Sequence, residues 1–452
     1  MLQQGQQLAL ELFHNISRRL DGKLKTPIRT FFLSLIIGAL LAIARRRTVT
    51  TWIRAAGLSE KYRNVFYHMP SIEHKSQELF DEMLKCIIEH LGDAIATAST
   101  IRIVLDDTPT KRYGKQVEGA GYHHNPTPGK TDATLCFGHS WVVATLVITH
   151  PLFGEVSFPI GAELYLRQKE IDKLKAKYNR QFKTKMTIAV EMLNRLVPKF
   201  KGFGKRIEII VDGGYANESV LSPLDKLSDV VVITRLRRDA ALYEIPEQPT
   251  VRGRGRPKKY GERIDLKVLV ESLDDWEEVE CRQYGRVVKK RVKSFIATSR
   301  LTRGKPIKVV LVKEDDKTWL PLISTDVAVS VLEILESYAV RFGIEETFKD
   351  LKDVWGWGKQ ELRKLESNEA ATTMNMLLFG MTELATWDRS HGELVDRSDC
   401  PWDDWERRPS HADRRNFLRR AILAKELNDA LGWAAIPTKI SNVLEKLMQL
   451  AA

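Results

Sequence analysis

Two aspartates and one run of mixed polar residues carry the chemistry of this 452-residue chain. Asp106 directly follows the β-branched run IRIVL at residues 101–105, and Asp212 directly follows RIEIIV at residues 206–211. A charged residue at the end of a buried strand lies at the carboxyl edge of its sheet, where open α/β sheets place their ligands. A single Asp there is more often a plain turn residue, so the weight rests on there being two. Asp107 comes next in the chain, and because successive strand residues face opposite sides, only one of Asp106 and Asp107 can point into a shared site. The third group lies in VLEILESYAVRFGIEETFKDLK, residues 331–352. Tyr338, Arg341, Glu345 and Lys352 there are offset by 3, 7 and 14 residues. At about 100° per residue they fall within ~60° of one another on a single helix face. Leu332, Leu335, Ala339 and Phe342 are left for the core. Spacing alone equally describes a solvated face with an i,i+4 Arg341–Glu345 pair.

The elements that must position these groups follow from the pattern around them. Residues 101–105, 141–148, 154–165, 206–211 and 229–234 read as strands, with a helix over 183–197 whose apolar residues recur at helical spacing. That order predicts a mixed α/β sheet. Residues 236–322 hold short strands at 266–270, 287–297 and 307–312 between charged turns, a β-rich insertion. Helical periodicity occupies residues 1–97 and returns from 326 to the end, with an apolar helix at 366–387 and a basic helix at 413–431. The expected division is thus a helical region at 1–97, a core at 98–235, the insertion at 236–322, the core's last helix at 323–365 and a helical region at 366–452.

An Asp after the first strand, an Asp after the fourth, a β insertion, and then a helix bearing Tyr, Arg, Glu and Lys at these offsets together resemble a known family. The chain looks like the DDE transposases of bacterial insertion sequences, in the branch with the Tyr-Arg-Glu-Lys signature. The resemblance covers residues 100–365 and implies a ribonuclease-H-like core. It also implies a catalytic, metal-holding triad of Asp106, Asp212 and Glu345, with the family pattern Asp-any-Thr selecting Asp106 over Asp107. Phosphodiester cleavage needs an activated water and a stabilised leaving oxygen, which two Mg²⁺ about 4 Å apart supply, with Mn²⁺ able to substitute. Hard cations of this kind take a few carboxylate oxygens and waters. Tyr338, Arg341 and Lys352 would then face the DNA phosphates.

Composition agrees with a nucleic-acid partner. Lys and Arg number 71 against 59 acidic residues, a net charge of +12, and a chain that basic is expected to meet a polyanion. The four cysteines include no Cys-x-x-Cys pair, which argues against a zinc site and fits a reducing cytoplasm. The apolar run FFLSLIIGALLAIA, residues 31–44, is too short to span a bilayer and reads as a buried helix, with Thr26 as its cap and Pro27 in its first turn. Beyond it, Gly57 separates two helices in the outline of a helix-turn-helix.

Weaker signals lie around these. Arg254 and Arg256, in RGRGRPKK at residues 252–259, resemble the core of an AT-hook, with non-specific phosphate contact the simpler role. Trp319, at the end of the insertion, stands where hairpin-forming relatives stack a Trp on a flipped base; packing beneath the sheet is the commoner fate, and Trp276 is a second candidate. His123 and His124 read as turn residues. Trp355-Gly356-Trp357-Gly358 could help grip DNA.

The combined expectation is a cut-and-paste transposase. It would bind its terminal inverted repeats through residues 1–97 and the C-terminal helices, and act as a homodimer in a paired-end complex on double-stranded DNA in the cytoplasm. A ribonuclease-H-like nuclease outside transposition and a non-catalytic DNA-binding protein are the alternatives.

Overall fold

The computed structural model describes residues 18–42, 46–125, 133–247, 257–271, 276–313, 318–395, 402–404 and 406–431. Arg254 and Arg256 lie outside these residues. The chain opens with helices α1 (Thr26–Leu41), α2 (Val49–Ala55), α3 (Tyr62–Glu73) and α4 (Ser76–Thr97). In α1, Phe32, Leu35, Ile36, Ala39 and Leu40 are buried, so the apolar run at 31–44 is a core helix. Thr26 is its first helical residue rather than its cap; Lys25 holds the cap position without a capping bond, and Pro27 fits the first turn. Gly57 does turn the chain after α2, at φ +68°. Trp52 of α2 is buried, and its carbonyl passes so close to Gly38 that any side chain there would collide with it. Among the described residues no helix is long and apolar enough to cross a membrane.

Next come β1 (Ile101–Lys111), β2 (Gly121–His124), β3 (Leu135–His150), β4 (Gly154–Tyr165), α5 (Gln168–Leu174), α6 (Lys185–Leu196), β5 (Ile207–Val211), α7 (Glu218–Leu224) and β6 (Val230–Arg235). β4 and β1 each run antiparallel to β3, whereas β5 is parallel to β1 and β6 to β5. This is the ribonuclease-H-like arrangement. β1 is twice the expected length: β3 pairs with it along its whole run, from Arg102↔Val147 to Lys111↔Gly138, so the strand does not stop at Asp106. The apolar run ends at 105 because the second neighbour, β5, ends there, at Leu105↔Val211.

The region after β6 continues the same sheet. β7 (Leu242–Tyr243), β8 (Arg263–Ile264), β9 (Glu277–Gln283), β10 (Arg286–Ser299), β11 (Pro306–Lys313) and β12 (Trp319–Ser324) add to it, and β12 joins the insertion to β6. Residues 266–270 are not a strand but a short helix, α8 (Leu266–Glu271), whose first turn is held by Asp265 accepting from the Lys267 amide. Leu266 and Val270, one helical turn apart, are its buried pair.

The signature segment is two helices, α9 (Val331–Val340) and α10 (Phe342–Asp353), not one. At the junction Arg341 N donates to Tyr338 O and Ile344 N to Arg341 O, so the chain tightens by a turn of i→i−3 bonds. α11 (Leu365–Ala385) is buried around nearly its whole circumference and carries α12 (His391–Leu394) and α13 (His411–Leu431) after it. One apolar core runs from the N-terminal helices through the sheet to α11 and α13. Trp355 and Trp357 belong to that core, at 1% and 2% exposed, and so do not reach DNA.

A buried charge cluster fastens α13 to the back of this assembly. Glu383 accepts from His411 Nδ1 at 2.6 Å and pairs with Arg414, while Trp355 Nε1 donates to His411 Nε2 at 2.8 Å. Burial alone would raise the Glu383 pKa, but Arg414 and His411 outweigh it and hold it down to about 2. A depressed carboxyl contributes stability above its unfolded value and loses it as pH falls through the folded one, here between pH about 4.5 and 2. Glu383→Ala strands two buried partners and is expected to cost about 3–5 kcal/mol in denaturant unfolding at pH 7. A loss below about 1 kcal/mol would show that the cluster does not hold α13.

Candidate active site

The paired strand ends bring the two aspartates together. With Leu105 opposite Val211 in parallel register, Asp106 and Asp212 are the next residues on neighbouring strands. Alternation along β1 then separates Asp106 from Asp107. Arg102, Asp106 and Thr108 share one face: Arg102 meets Glu208, which accepts from Ser337 of α9, Asp106 meets Arg341, and Thr108 meets Lys352 of α10. Asp107 is on the other face, paired with Lys185 of α6 and accepting from the Tyr215 hydroxyl at 3.1 Å. Glu208 is a buried acid inside β5; it ties α9 to the sheet one residue before Tyr338.

Arg341 organises the acids. Its two terminal nitrogens donate separately, one to Asp106 Oδ2 at 2.9 Å and the other to Glu345 Oε1 at 2.6 Å. Burial works against its charge, but Tyr338, Asp106 and Glu345 outweigh that and raise its hold on the proton. Its guanidinium also lies 5.8 Å from the centre of the Tyr338 ring. Asp212 caps the turn that follows it, accepting from Gly214 N at 3.4 Å, with Arg235 at 3.5 Å from its other oxygen. Burial pushes the Asp106 pKa up to about 7; the ion pair with Arg341 pulls the other way, and Asp107 and Asp212 add to the rise. Geometry alone would suggest a fully charged acid at 2.9 Å from a guanidinium, but desolvation is the larger effect here. Burial likewise lowers Lys352 to about 8; its amine donates to Thr108 Oγ1 at 2.7 Å.

These groups suit a divalent cation by their chemistry. Asp106, Asp212 and Glu345 offer only hard oxygens, and a cationic group, the Arg341 guanidinium, already stands between two of them. As they stand, no group of three or more His, Cys, Asp or Glu among the described residues is gathered closely enough to hold a metal ion.

The remaining sequence candidates divide. Trp319 is half-buried at the edge of the sheet beneath Arg238, whose guanidinium lies 5.4 Å from its ring centre. It lines a cleft of about 580 Å³ with Gly213, Gly214, Arg235 and Arg237, directly beside Asp212. Trp276 lies under Lys313 at 4.5 Å, within the insertion. His123 and His124 are in β2 rather than a turn; His123 is buried, and burial lowers its pKa to about 4. Sequence reading missed Glu208, Lys185 and Arg235. The first is an acid within an apolar run, which is the one signal that could have found it.

The family described as DDE superfamily endonuclease matches residues 20–293, and the chain belongs to that family, whose nucleases use divalent metal ions. The matched stretch contains Asp106 and Asp212 and ends before Glu345. No curated protein matches the chain. Among solved structures the chain is similar to a piggyBac transposase in a synaptic complex with hairpin DNA. That similarity is at 10% identity and a TM-score of 0.40, over 100% of this chain and 85% of that one, too distant to bear on function.

The raised Asp106 pKa has a measurable consequence. Between its ordinary value of 3.8 and about 7 the unfolded chain releases a proton that the folded chain keeps, so stability falls across that window. Above pH 7 the full cost, on the order of 4 kcal/mol before relaxation, is present. Asp106→Asn should therefore melt higher than wild type at pH 8 in a chelator and about equally at pH 4. A lower melting temperature at pH 8 would mean that the pair with Arg341 is net stabilising.

Proposed function

We propose that this endonuclease is a transposase of the insertion-sequence branch with the Tyr-Arg-Glu-Lys signature, cutting its element from double-stranded DNA and joining the ends to a target. The observation that carries the reading is the chain of contacts Asp106–Arg341–Glu345 at the end of the β1–β5 pair, beside Asp212. Divalent ions, Mg²⁺ or Mn²⁺ in its place, would be held by Asp106, Asp212 and Glu345 and supply the activated water and the stabilised leaving oxygen.

The chain's own residues do the rest. Arg341 keeps Asp106 and Glu345 aligned, and its guanidinium would also supply a charge-assisted contact to a scissile phosphate beside them. Lys352, held by Thr108 next along the strand face from Asp106, receives the neighbouring phosphate and regains its full charge there. Tyr338 supports the Arg341 plane. Trp319, in the arginine-lined cleft beside Asp212, stacks an unpaired base, which favours excision through a hairpin. Helices α1 to α4 and α13 carry the inverted-repeat contacts, with Arg254 and Arg256 adding phosphate contacts, and two copies synapse the two ends in the cytoplasm.

The test is strand cleavage of a labelled element end with Mg²⁺. Wild type is expected to nick and join, while Glu345→Gln loses at least about 10³-fold in rate with DNA binding retained. Equal cleavage by both proteins would remove Glu345 from the reaction. Cleavage without joining at inverted repeats would favour a nuclease outside transposition.

A further inference from the structure

A second cleft lies on the opposite side of the acids from Trp319. It occupies about 870 Å³ between the end of β1 and the chain that leaves α10, and Thr108 and Lys352 form its inner end. Thr108 is two residues beyond Asp106 on the same face of β1, about 7 Å along the strand. The cleft therefore begins about one nucleotide of an extended strand away from Asp106.

Its walls match a nucleotide in kind. Trp357, Leu362 and Val117 give an apolar floor. Lys111, Lys359 and Arg363 stand at the rim, and with Arg112 and Lys352 they make five cations against two carboxylates, Asp353 and Glu361. Arg112 is spent within the fold, on Asn368 and the Gly358 carbonyl, and Lys359 lies 3.9 Å from Asp353 at the exposed rim. Tyr113 is among the lining residues and is 92% exposed, an aromatic side chain left in solvent beside a basic cleft. Apolar sites of this volume with a few polar groups hold small ligands, and a strand bound without sequence reading uses basic grooves with aromatic rings for the bases.

We propose that this cleft is a subsite for one unpaired nucleotide of the DNA strand next to the scissile phosphate. The base stacks on Tyr113 on the side of Val117, above the buried floor, and its phosphate meets Lys359 and Arg363. The inference rests on the endonuclease reading of the acids but adds a binding position outside them, on the side away from the Trp319 cleft. It makes the enzyme prefer DNA whose strands are already parted beside the cut.

The experiment compares the affinity of the full-length protein, without divalent metal, for a labelled duplex and for the same duplex with a single-nucleotide gap. A fluorescent adenine analogue is placed opposite the gap. Wild type should bind the gapped DNA about tenfold more tightly and quench the analogue. Tyr113→Ala and Lys359→Glu should bring the ratio close to one and remove the quenching; both side chains are exposed, so folding is not at risk. An unchanged preference in both variants, or equal binding of the two DNAs by wild type, would overturn the subsite and leave the acids' role intact. Failure of wild type to bind either DNA would overturn the endonuclease reading and the subsite together.

Discussion

The site depends on where one parallel pairing stops. β1 and β5 run side by side from Ile101↔Ile207 to Leu105↔Val211, and on each side the residue after the last pair is an aspartate. In parallel strands equal positions lie next to each other, so a single register sets Asp106 beside Asp212. A slip of one residue would send Asp106 to the face now held by Asp107, Lys185 and Tyr215. The apolar residues of β1 and β5, fully buried on both faces, hold that register.

The third acid, Glu345, arrives from a helix much later in the chain, and the contact that meets it comes from Arg341, 235 residues beyond Asp106. Arg341 lies at the junction of α9 and α10, where the i→i−3 bonds let one side chain face Asp106 while Glu345, a turn further on, stays at the other end of the same guanidinium. The buried Glu208–Ser337 bond fixes α9 against β5, and the Lys352–Thr108 bond fixes α10 against β1. The helix is thus pinned to two neighbouring strands on either side of Arg341. A buried carboxylate such as Asp106 is costly to keep charged, and a nearby cation offsets that cost. Arg341 does so without DNA, and a divalent ion would do so more strongly.

Much of this was legible in the sequence because it depends on short-range pattern. The apolar runs before Asp106 and Asp212, the buried helix at 31–44 and the Tyr338, Arg341, Glu345 and Lys352 stripe are all local signals. What was not legible depends on partners distant in the chain. β1 runs on past Asp106 because β3 continues beside it, and nothing in residues 106–111 announces that neighbour. The break at Arg341 has no proline to mark it, and the one glycine nearby, Gly343, lies inside the second helix. Residues 266–270 carry a strand-like composition, yet one capping aspartate and a buried i,i+4 pair make them a helix. Trp355 and Trp357, which resemble exposed gripping residues between glycines, are core because His411 and Thr372 supply their indole partners from α13 and α11.

The central claim is that Asp106, Asp212 and Glu345 form one cation site that Arg341 holds in readiness. Electron paramagnetic resonance of Mn²⁺ bound to the full-length protein on duplex DNA tests it most directly, comparing wild type with Asp212→Asn, the acid that Arg341 does not touch. The account predicts bound Mn²⁺ in wild type and affinity weaker by about tenfold or more in the variant. Equal Mn²⁺ binding by both proteins would contradict it, because it would mean that the strand register brings two aspartates together without making them a shared site.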